Sequence, residues 1–291
     1  MHIVIPQERL DAYTEPFGTL QKVLHCVLGF VPSHEVVKYA DMEHALKKRG
    51  VLFLLFGADQ IDSAMLPDIF ICIQLEQLSC RWRQVSRDVQ QNCINVFNKS
   101  LCVWDYKETN VNFMKNLITT KHIYTPYGFH ECMLAMPHRY KEHRCIDCIY
   151  FGARKGDREE KLMALQSDLE GLFTNYDCTL WGDKKLDVLS QAKVSICIKA
   201  DEDALLETVR INHLVSNGVV VVSEMYEHDI NMQAYIGVVT FVRSISEMAC
   251  VVARLCANEA QRRQMADCAM RNLQQMDYER TITKAMFDYA M

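Results

Sequence analysis

No window of the sequence approaches the roughly 18 uninterrupted apolar residues that a spanning helix needs, so no integral membrane segment is expected. The opening residues, MHIVIPQERLDAY, lack a basic stretch followed by an apolar one, and the expected location is cytoplasmic. No short-period repeat or low-complexity tract is present, which removes solenoids and linker-type proteins. There is no GK[ST] phosphate loop and no GxGxxG turn, so P-loop kinases and dinucleotide oxidoreductases are disfavoured. Nor is there an excess of one charge. The formal net charge is −5, and residues 1–144 carry 16 basic and 15 acidic side chains against 16 and 22 in residues 145–291. Neither half is built for generic binding to duplex nucleic acid or an anionic membrane, although a nucleic-acid acceptor bound through a local patch stays open.

What is present is ordinary globular composition. The 291 residues are 49% hydrophobic and 24% charged, enough for one large or two medium domains, and disorder as a main theme is excluded. The 13 cysteines are odd in number, and Cys26, Cys72, Cys102, Cys197 and Cys250 sit in apolar runs, where reduced thiols pack as small hydrophobes. Cys145 and Cys148 form the one CxxC, but a structural zinc site needs a second ligand pair that His138 and His143 imitate poorly.

Apolar runs alternate with segments of helical period. MHIVIP, VLFLLFG at 51–57 and IFICIQL at 69–75 read as strands, followed by a helix and strand in VQQNCINVFNKSLCVWD and a helix in NVNFMKNLI. After the polar stretch at 136–144, taken as a linker, the pattern resumes. CIDCIYFG, YDCTLWG, KVSICIKA and VVVVSE read as strands; REEKLMALQSDLEGLF, KLDVLSQA and LLETVRINHLVSNG read as helices. A long helical tail follows residue 245. Alternating strands and helices predict two α/β units with parallel sheets: residues 1–135, residues 145–270, and a C-terminal helix at 271–291 expected to pack back on the first unit.

Two segments carry chemistry. In YFGARKGDREEKL a strand ends at Gly152, and a loop bearing Arg154 and Lys155 enters a helix near Arg158, which is the form of an anion cradle. A solvated loop balanced by Asp157, Glu159 and Glu160 is the alternative. In LLETVRINHLVSNGVVVVSE, Glu207 and Arg210 lie three apart on one helix face. Arg210 is either a fork for a diphosphate, aided by the helix N-terminus, or half of a surface ion pair. Asp201, Glu202 and Asp203 imitate a metal-binding DxD, but their place before a helix favours an acidic N-terminus. Trp82 among Arg81, Arg83 and Arg87 is a solvated helix face or an acceptor surface. Tyr124, Pro126, Tyr127 and Gly128 read as a structural turn.

The strand with Gly152, the basic residues before a helix, LWG at 180–182, SQAKVSICI and ETVRINHLVSNGVVVVSE together resemble the nucleotide-binding half of GT-B glycosyltransferases. IQLEQLS, VWDYKETN and YTPYGF extend the resemblance to a group within that family and, more distantly, to the phage DNA β-glucosyltransferases. It covers about Ile69 to Phe241. The resemblance implies two Rossmann-like domains facing each other across a cleft, residues 1–135 taking the acceptor and 145–270 the nucleotide sugar, a donor such as UDP-glucose. It implies that Gly152, Arg154, Arg158 and Arg210 hold the diphosphate and that Glu207 orients Arg210 or the sugar. Many members carry a ribose-contacting glutamate five residues before the small turn residue; here His213 stands five before Gly218. The two-glutamate signature of retaining enzymes is likewise not evident at 205–213, which points to inversion.

Inversion needs a carboxylate to take the acceptor hydroxyl's proton while cations neutralise the leaving diphosphate. Glu76, after the strand in IQLEQLS, is the first candidate, and Asp105 in VWDYK the second, with an Asx-type loop bond as its other reading. With three arginines for neutralisation, no metal or other cofactor is expected. The expected function is transfer of a sugar to a hydroxyl of a glycan, protein or modified nucleobase; the rival is a non-catalytic nucleotide-binding or interaction protein on the same scaffold.

Overall fold

The structure is a computed structural model that describes residues 1–7, 10–38, 41–47, 50–57, 61–134, 144–154, 156–172, 174–176 and 182–290. The linker residues 136–143, Lys155, and Leu180 and Trp181 of the LWG segment lie outside the described residues. The chain divides into two compact units, Met1–Tyr127 with Asp277–Met291, and Gly128–Met276. Residues 128–134, grouped by sequence with the first half, thus belong to the second unit.

The first unit holds a six-stranded parallel sheet. Its strands are β1 (His2–Pro6), β2 (Ser33–Val37), β3 (Phe53–Phe56), β4 (Phe70–Gln74), β5 (Cys102–Asp105) and β6 (His122–Tyr124), in the order β2-β1-β3-β4-β5-β6. Helices α1 (Leu10–Leu28), α2 (Met42–Leu46), α3 (Leu78–Arg81), α4 (Arg87–Lys99) and α5 (Glu108–Met114) accompany it. Every residue of β1, β3 and β4 is buried, because a parallel sheet covered on both faces leaves no side chain to solvent. Edge strand β2, SHEVV, is largely exposed, and β6 has three residues, so neither shows as an apolar run in the sequence.

The second unit holds a five-stranded parallel sheet, order β11-β10-β9-β7-β8. Its elements are β7 (Ile146–Tyr150), α6 (Arg158–Asp168), β8 (Thr174–Tyr176), α7 (Gly182–Leu189), β9 (Ala192–Cys197), α8 (Thr208–Ser216), β10 (Val220–Glu224), β11 (Thr240–Val242), α9 (Ile245–Ala257) and α10 (Glu259–Leu273). Strand residues alternate between two cores. Ile149, Cys197 and Val221 pack with α8 and α10 through Ile211, Leu214, Ala269 and Leu273. Cys148, Tyr150, Ile196 and Val222 pack with α6 and α9 through Leu162, Leu165, Met248 and Val252. The chain leaves β7 for β8 on one side and returns to β9 on the other, so the sheet has its topological switch point between β7 and β9.

The last helix, α11 (Tyr278–Ala290), belongs to the first unit, where it packs on α1 and β6 and the Lys121 ammonium donates to the Asp288 carbonyl. The helical tail is therefore three helices, separated where Asn258 caps α10 through the Gln261 N–H and where Asp277 accepts from the Arg280 N–H. Of the segment YDCTLWG read as a strand, Tyr176 ends β8 and Gly182 opens α7, while residues 177–181 lie outside the described residues. Cys72, Cys102 and Cys197 are buried as expected, but Cys26 and Cys250 are exposed, because helical period turns them outward from α1 and α9. All 12 described cysteines are free. Among the described residues no helix is long and apolar enough to cross a membrane.

Candidate functional site

The carboxyl ends of β7 and β9 carry the loops that build the site. After β7 the chain turns at Gly152 and runs through Gly156 into α6; after β9 it runs through Ala200 into α8. The Asp157 N–H donates to the Ala200 carbonyl at 3.0 Å, locking the two loops together. Gly156 has φ +60°, and a Cβ there would lie 2.3 Å from the Ala200 oxygen, so only glycine fits this contact. Gly152 has φ +151°, and its Cβ would lie 2.7 Å from the Tyr150 hydroxyl and 3.0 Å from Arg210 Nη1. The missing side chain at 152 is what lets the Arg210 guanidinium approach the backbone.

Arg158, the first residue of α6, is buried. Its Nε donates to the Ile198 carbonyl at 2.8 Å, Nη1 to the Ala153 carbonyl at 3.3 Å, and Nη2 to Glu207 Oε1 at 2.7 Å. The other oxygen of Glu207 is paired with Arg210 Nη1. One carboxylate thus bridges two guanidiniums from different helices. Glu207 is the N-cap residue of α8 but its side chain makes no cap bond, being turned to the arginines. Burial opposes the charge on Arg158 and on Arg210, but Glu207 together with Tyr150, and at Arg210 also Cys197 and Tyr226, outweighs it and holds both above their ordinary value. Two cations and one anion gather beside the N-terminus of α8, which adds its own positive end. Such an arrangement accepts a further anion.

Helix α8 is buried from Ile211 to Ser216 and closes at Gly218, φ +70°, where the Val219 N–H returns to the Leu214 carbonyl at 3.1 Å. His213 is buried one turn beyond Arg210 on this helix. Arg154 differs from Arg158: it is exposed, and its Nη1 meets Glu159 at 3.2 Å. The acidic triplet does not form the first turn of α8, which holds no acid. Its Asp201 carbonyl closes a turn with the Ala204 N–H, and Glu202 pairs with Lys199 at 2.9 Å.

Three residues here were not singled out from the sequence. The Tyr150 hydroxyl donates to the Ala153 carbonyl at 3.2 Å, and burial pushes the phenol up to about 12. Glu224, at the end of β10, accepts from the Lys199 N–H at 2.6 Å and pairs with Lys161 at 3.0 Å, tying β10 to the β9 loop and to α6. Tyr226, two residues further, is 2% exposed, and its hydroxyl has no hydrogen-bond partner among the described residues. A polar residue at or just beyond a strand's carboxyl end was the available signal for both Glu224 and Tyr226.

In the first unit the two candidate bases stand at the ends of adjacent strands β4 and β5. Glu76 is partly exposed and paired with Arg81. Asp105 is fully buried: Oδ1 accepts from the Lys107 N–H at 2.9 Å and Asn110 Nδ2 at 3.1 Å, and Oδ2 meets His122 Nε2 at 3.1 Å. Burial raises the Asp105 carboxyl above its ordinary value in spite of these partners. Asn110 Nδ2 also donates to the Glu76 carbonyl at 2.8 Å. Trp82 packs edge-on against Phe113, ring centroids 5.6 Å apart, so it belongs to the core side of its turn.

No family model and no curated protein matches this sequence. Solved structures do match in fold. TarM superposes with a TM-score of 0.59 at 9% identity, over 87% of this chain and 58% of that one. T4 phage BGT, in complex with its UDP-glucose substrate, superposes with a TM-score of 0.57 at 11% identity, over 99% of both chains. An alpha-glucosyltransferase in complex with UDP-glucose and DNA containing an abasic site superposes with a TM-score of 0.59 at 10% identity, over 89% of this chain and 84% of that one. The chain thus spans just under three-fifths of TarM and nearly all of the phage enzyme. Its fold is GT-B, two Rossmann-like α/β units each on a parallel sheet.

Proposed function

We propose that the chain is a glycosyltransferase that moves a sugar from a nucleoside-diphosphate sugar, of the UDP-glucose kind, to a hydroxyl acceptor with inversion. The observation that carries this reading is the Arg158–Glu207–Arg210 bridge beside Gly152, at the switch point of the second sheet. The second unit takes the donor. Arg158, Arg210 and the N-terminus of α8 hold the diphosphate, Glu207 sets the two guanidiniums, and His213 takes the ribose side. Arg154, exposed on the same loop, adds a weaker, solvent-screened attraction.

The first unit takes the acceptor, a hydroxyl on a glycan, protein or modified nucleobase. The acceptor oxygen attacks the anomeric carbon as the bond from that carbon to the diphosphate oxygen breaks. The electron pair goes to the leaving diphosphate, where the arginines and the helix end stabilise it without a metal. The hydroxyl proton goes to Glu76, which exchanges its Arg81 partner for the acceptor.

The test is nucleotide binding and turnover measured side by side without added metal. Arg210→Ala should abolish the melting-temperature shift given by the donor nucleotide; Glu76→Gln should keep binding and lose transfer. Binding without turnover of any sugar nucleotide in the wild type points instead to a non-catalytic nucleotide-binding protein. Full transfer by Glu76→Gln removes Glu76 as the base.

A further inference from the structure

Strands β5 and β6 carry a buried ionisable pair that the proposed reaction does not use. His122, the first residue of β6, has a side chain only 5% exposed, and Asp105, at the end of β5, is not exposed at all. Alternation along the chain sends His122 and its neighbour Lys121 to opposite sides: Lys121 reaches the Asp288 carbonyl of α11, whereas the His122 ring packs on Phe97 of α4, ring centroids 6.0 Å apart. In register His122 faces Val103, so its ring reaches along the sheet to Asp105, and Nε2 meets Oδ2 at 3.1 Å. Nδ1 of the same ring is buried with no hydrogen-bond partner among the described residues. That fixes the direction of the bond. A proton on Nε2 leaves only a bare lone pair at Nδ1, whereas a proton on Nδ1 leaves a buried N–H without an acceptor, so Nε2–H donates and the carboxylate accepts.

Burial raises the Asp105 carboxyl, and the His122 bond works against that rise. Oδ1 meanwhile accepts from two donors, the Lys107 N–H at 2.9 Å and Asn110 Nδ2 at 3.1 Å. An Asx-type turn needs only the first. The second ties the pair to the candidate base, because Asn110 Nδ2 also donates to the Glu76 carbonyl at 2.8 Å and its carboxamide oxygen accepts from the Ser79 N–H at 3.2 Å. One amide thus holds the loop after β4 at two backbone points. On the reading of Glu76 as the base, we propose that His122 is a positioning residue for the transfer: its Nε2–H fixes the plane of the Asp105 carboxylate, which turns Asn110 toward the Glu76 loop. Without that donor Oδ2 is a buried oxygen with nothing to accept from, the carboxyl turns or takes a proton, and Oδ1 loses its hold on Asn110.

The measurement is release of UDP from UDP-glucose without added metal, water standing in the acceptor's place, together with calorimetric titration by UDP. Three substitutions of His122 separate its bond from its bulk. Leucine has no donor, asparagine is too short to place an N–H where Nε2 lies, and glutamine reaches that far with its amide. His122→Leu and His122→Asn should each lower turnover about tenfold, His122→Gln should return it to within about twofold of wild type, and UDP affinity should stay level in all three. A residue that acts through Asn110 has nothing left to lose once Asn110 is gone, so His122→Leu added to Asn110→Ala should turn over as Asn110→Ala alone does. Wild-type turnover in His122→Leu or His122→Asn overturns the proposal. So does His122→Gln as slow as His122→Leu, which marks a packing role for the ring, and so does a further loss of about tenfold in the double variant. Should His122→Leu fail to fold, His122→Asn against His122→Gln carries the same comparison. If the wild type releases no UDP, or Glu76→Gln releases it as the wild type does, the reading of Glu76 fails and this inference falls with it. If Glu76→Gln is slow and the His122 variants are not, the inference alone fails.

Discussion

Replacing Glu207 by glutamine probes the site through its charge balance. The substitution keeps the size and one acceptor oxygen, but it puts an amide N–H₂ against one of two guanidiniums and removes the anion that bridges them. Side-chain exposure is 10% for Arg158, 16% for Glu207 and 23% for Arg210, so solvent screens the loss only in part. Breaking a buried ion pair from one side costs about 3–5 kcal/mol, and the partial exposure places this case near 3 kcal/mol. At about 2–4 °C per kcal/mol for a domain of this size, the second unit should melt about 6–12 °C lower.

The same substitution should enlarge the response to ligand. A bound diphosphate brings back the anion that the variant lacks, so a saturating nucleoside diphosphate stabilises Glu207→Gln by more degrees than it stabilises the wild type. Differential scanning fluorimetry with and without nucleotide reads both effects in one experiment. A free-state melting temperature within about 1 °C of wild type would refute the buried-bridge argument. A ligand shift no larger than in the wild type would refute the placement of the diphosphate on these arginines.

Two further substitutions test the loops around this site and the buried acid of the first unit. Gly156→Ala places a Cβ 2.3 Å from the Ala200 carbonyl oxygen at φ +60°, so it should lower stability by at least about 2 kcal/mol in urea unfolding and weaken nucleotide binding with it; a midpoint unchanged from wild type counts against the loop contact. Asp105 has its carboxyl raised from the ordinary 3.8 by burial, so its contribution to stability is fully present below about pH 3.8 and is lost as the pH rises through the raised folded value. Asp105→Asn mimics the protonated acid, with His122 accepting from the new amide, and should gain on the wild type as pH rises from about 4 to 7; a stability difference flat with pH contradicts the raised value.

The strands legible in the sequence are those buried on both faces. MHIVIP, IFICIQL, KVSICIKA and VVVVSE are continuous apolar runs because a doubly covered parallel sheet asks for them, whereas edge strand SHEVV carries solvent-facing polar residues and gives no such run. The strand–glycine–helix order around Gly152 was equally legible, since tight turns need glycine and anion sites need helix ends. What could not be read was which arginine of the loop turns inward. Arg154 and Arg158 are four residues apart with the same chemistry, and it is the carbonyls of Ala153 and Ile198 together with Glu207 that draw Arg158 in. Glu207 showed its local pairing with Arg210 by helical spacing, but its bond to Arg158 spans 49 residues and leaves no local pattern. The acidic triplet was misleading for a related reason: Lys199, two residues earlier, claims Glu202 before the helix dipole does.

The two carboxylates of the first unit are not equivalent as bases, and Asn110 shows how they are connected. A general base must reach the acceptor hydroxyl at about 2.6–3.2 Å. Asp105 has no accessible surface, and both of its oxygens are already engaged, Oδ1 by the Lys107 N–H and Asn110 Nδ2 and Oδ2 by His122 Nε2. It therefore shapes the turn after β5, and Glu76 is the carboxylate with an edge toward solvent. Asn110, fully buried, donates through one nitrogen to both Asp105 Oδ1 and the Glu76 carbonyl and accepts from the Ser79 N–H at 3.2 Å. Asp105 thus sets the backbone of the Glu76 loop through Asn110, and in the proposed reaction Glu76 is the end of this chain that takes the proton. Asn110→Ala cuts that link and leaves the second unit untouched. Transfer should fall by about 10–100-fold from a misplaced base, with nucleotide affinity by titration equal to wild type. Equal turnover in Asn110→Ala would show that the Glu76 loop holds its place without Asp105, and would return the choice of base to residues elsewhere in the first unit.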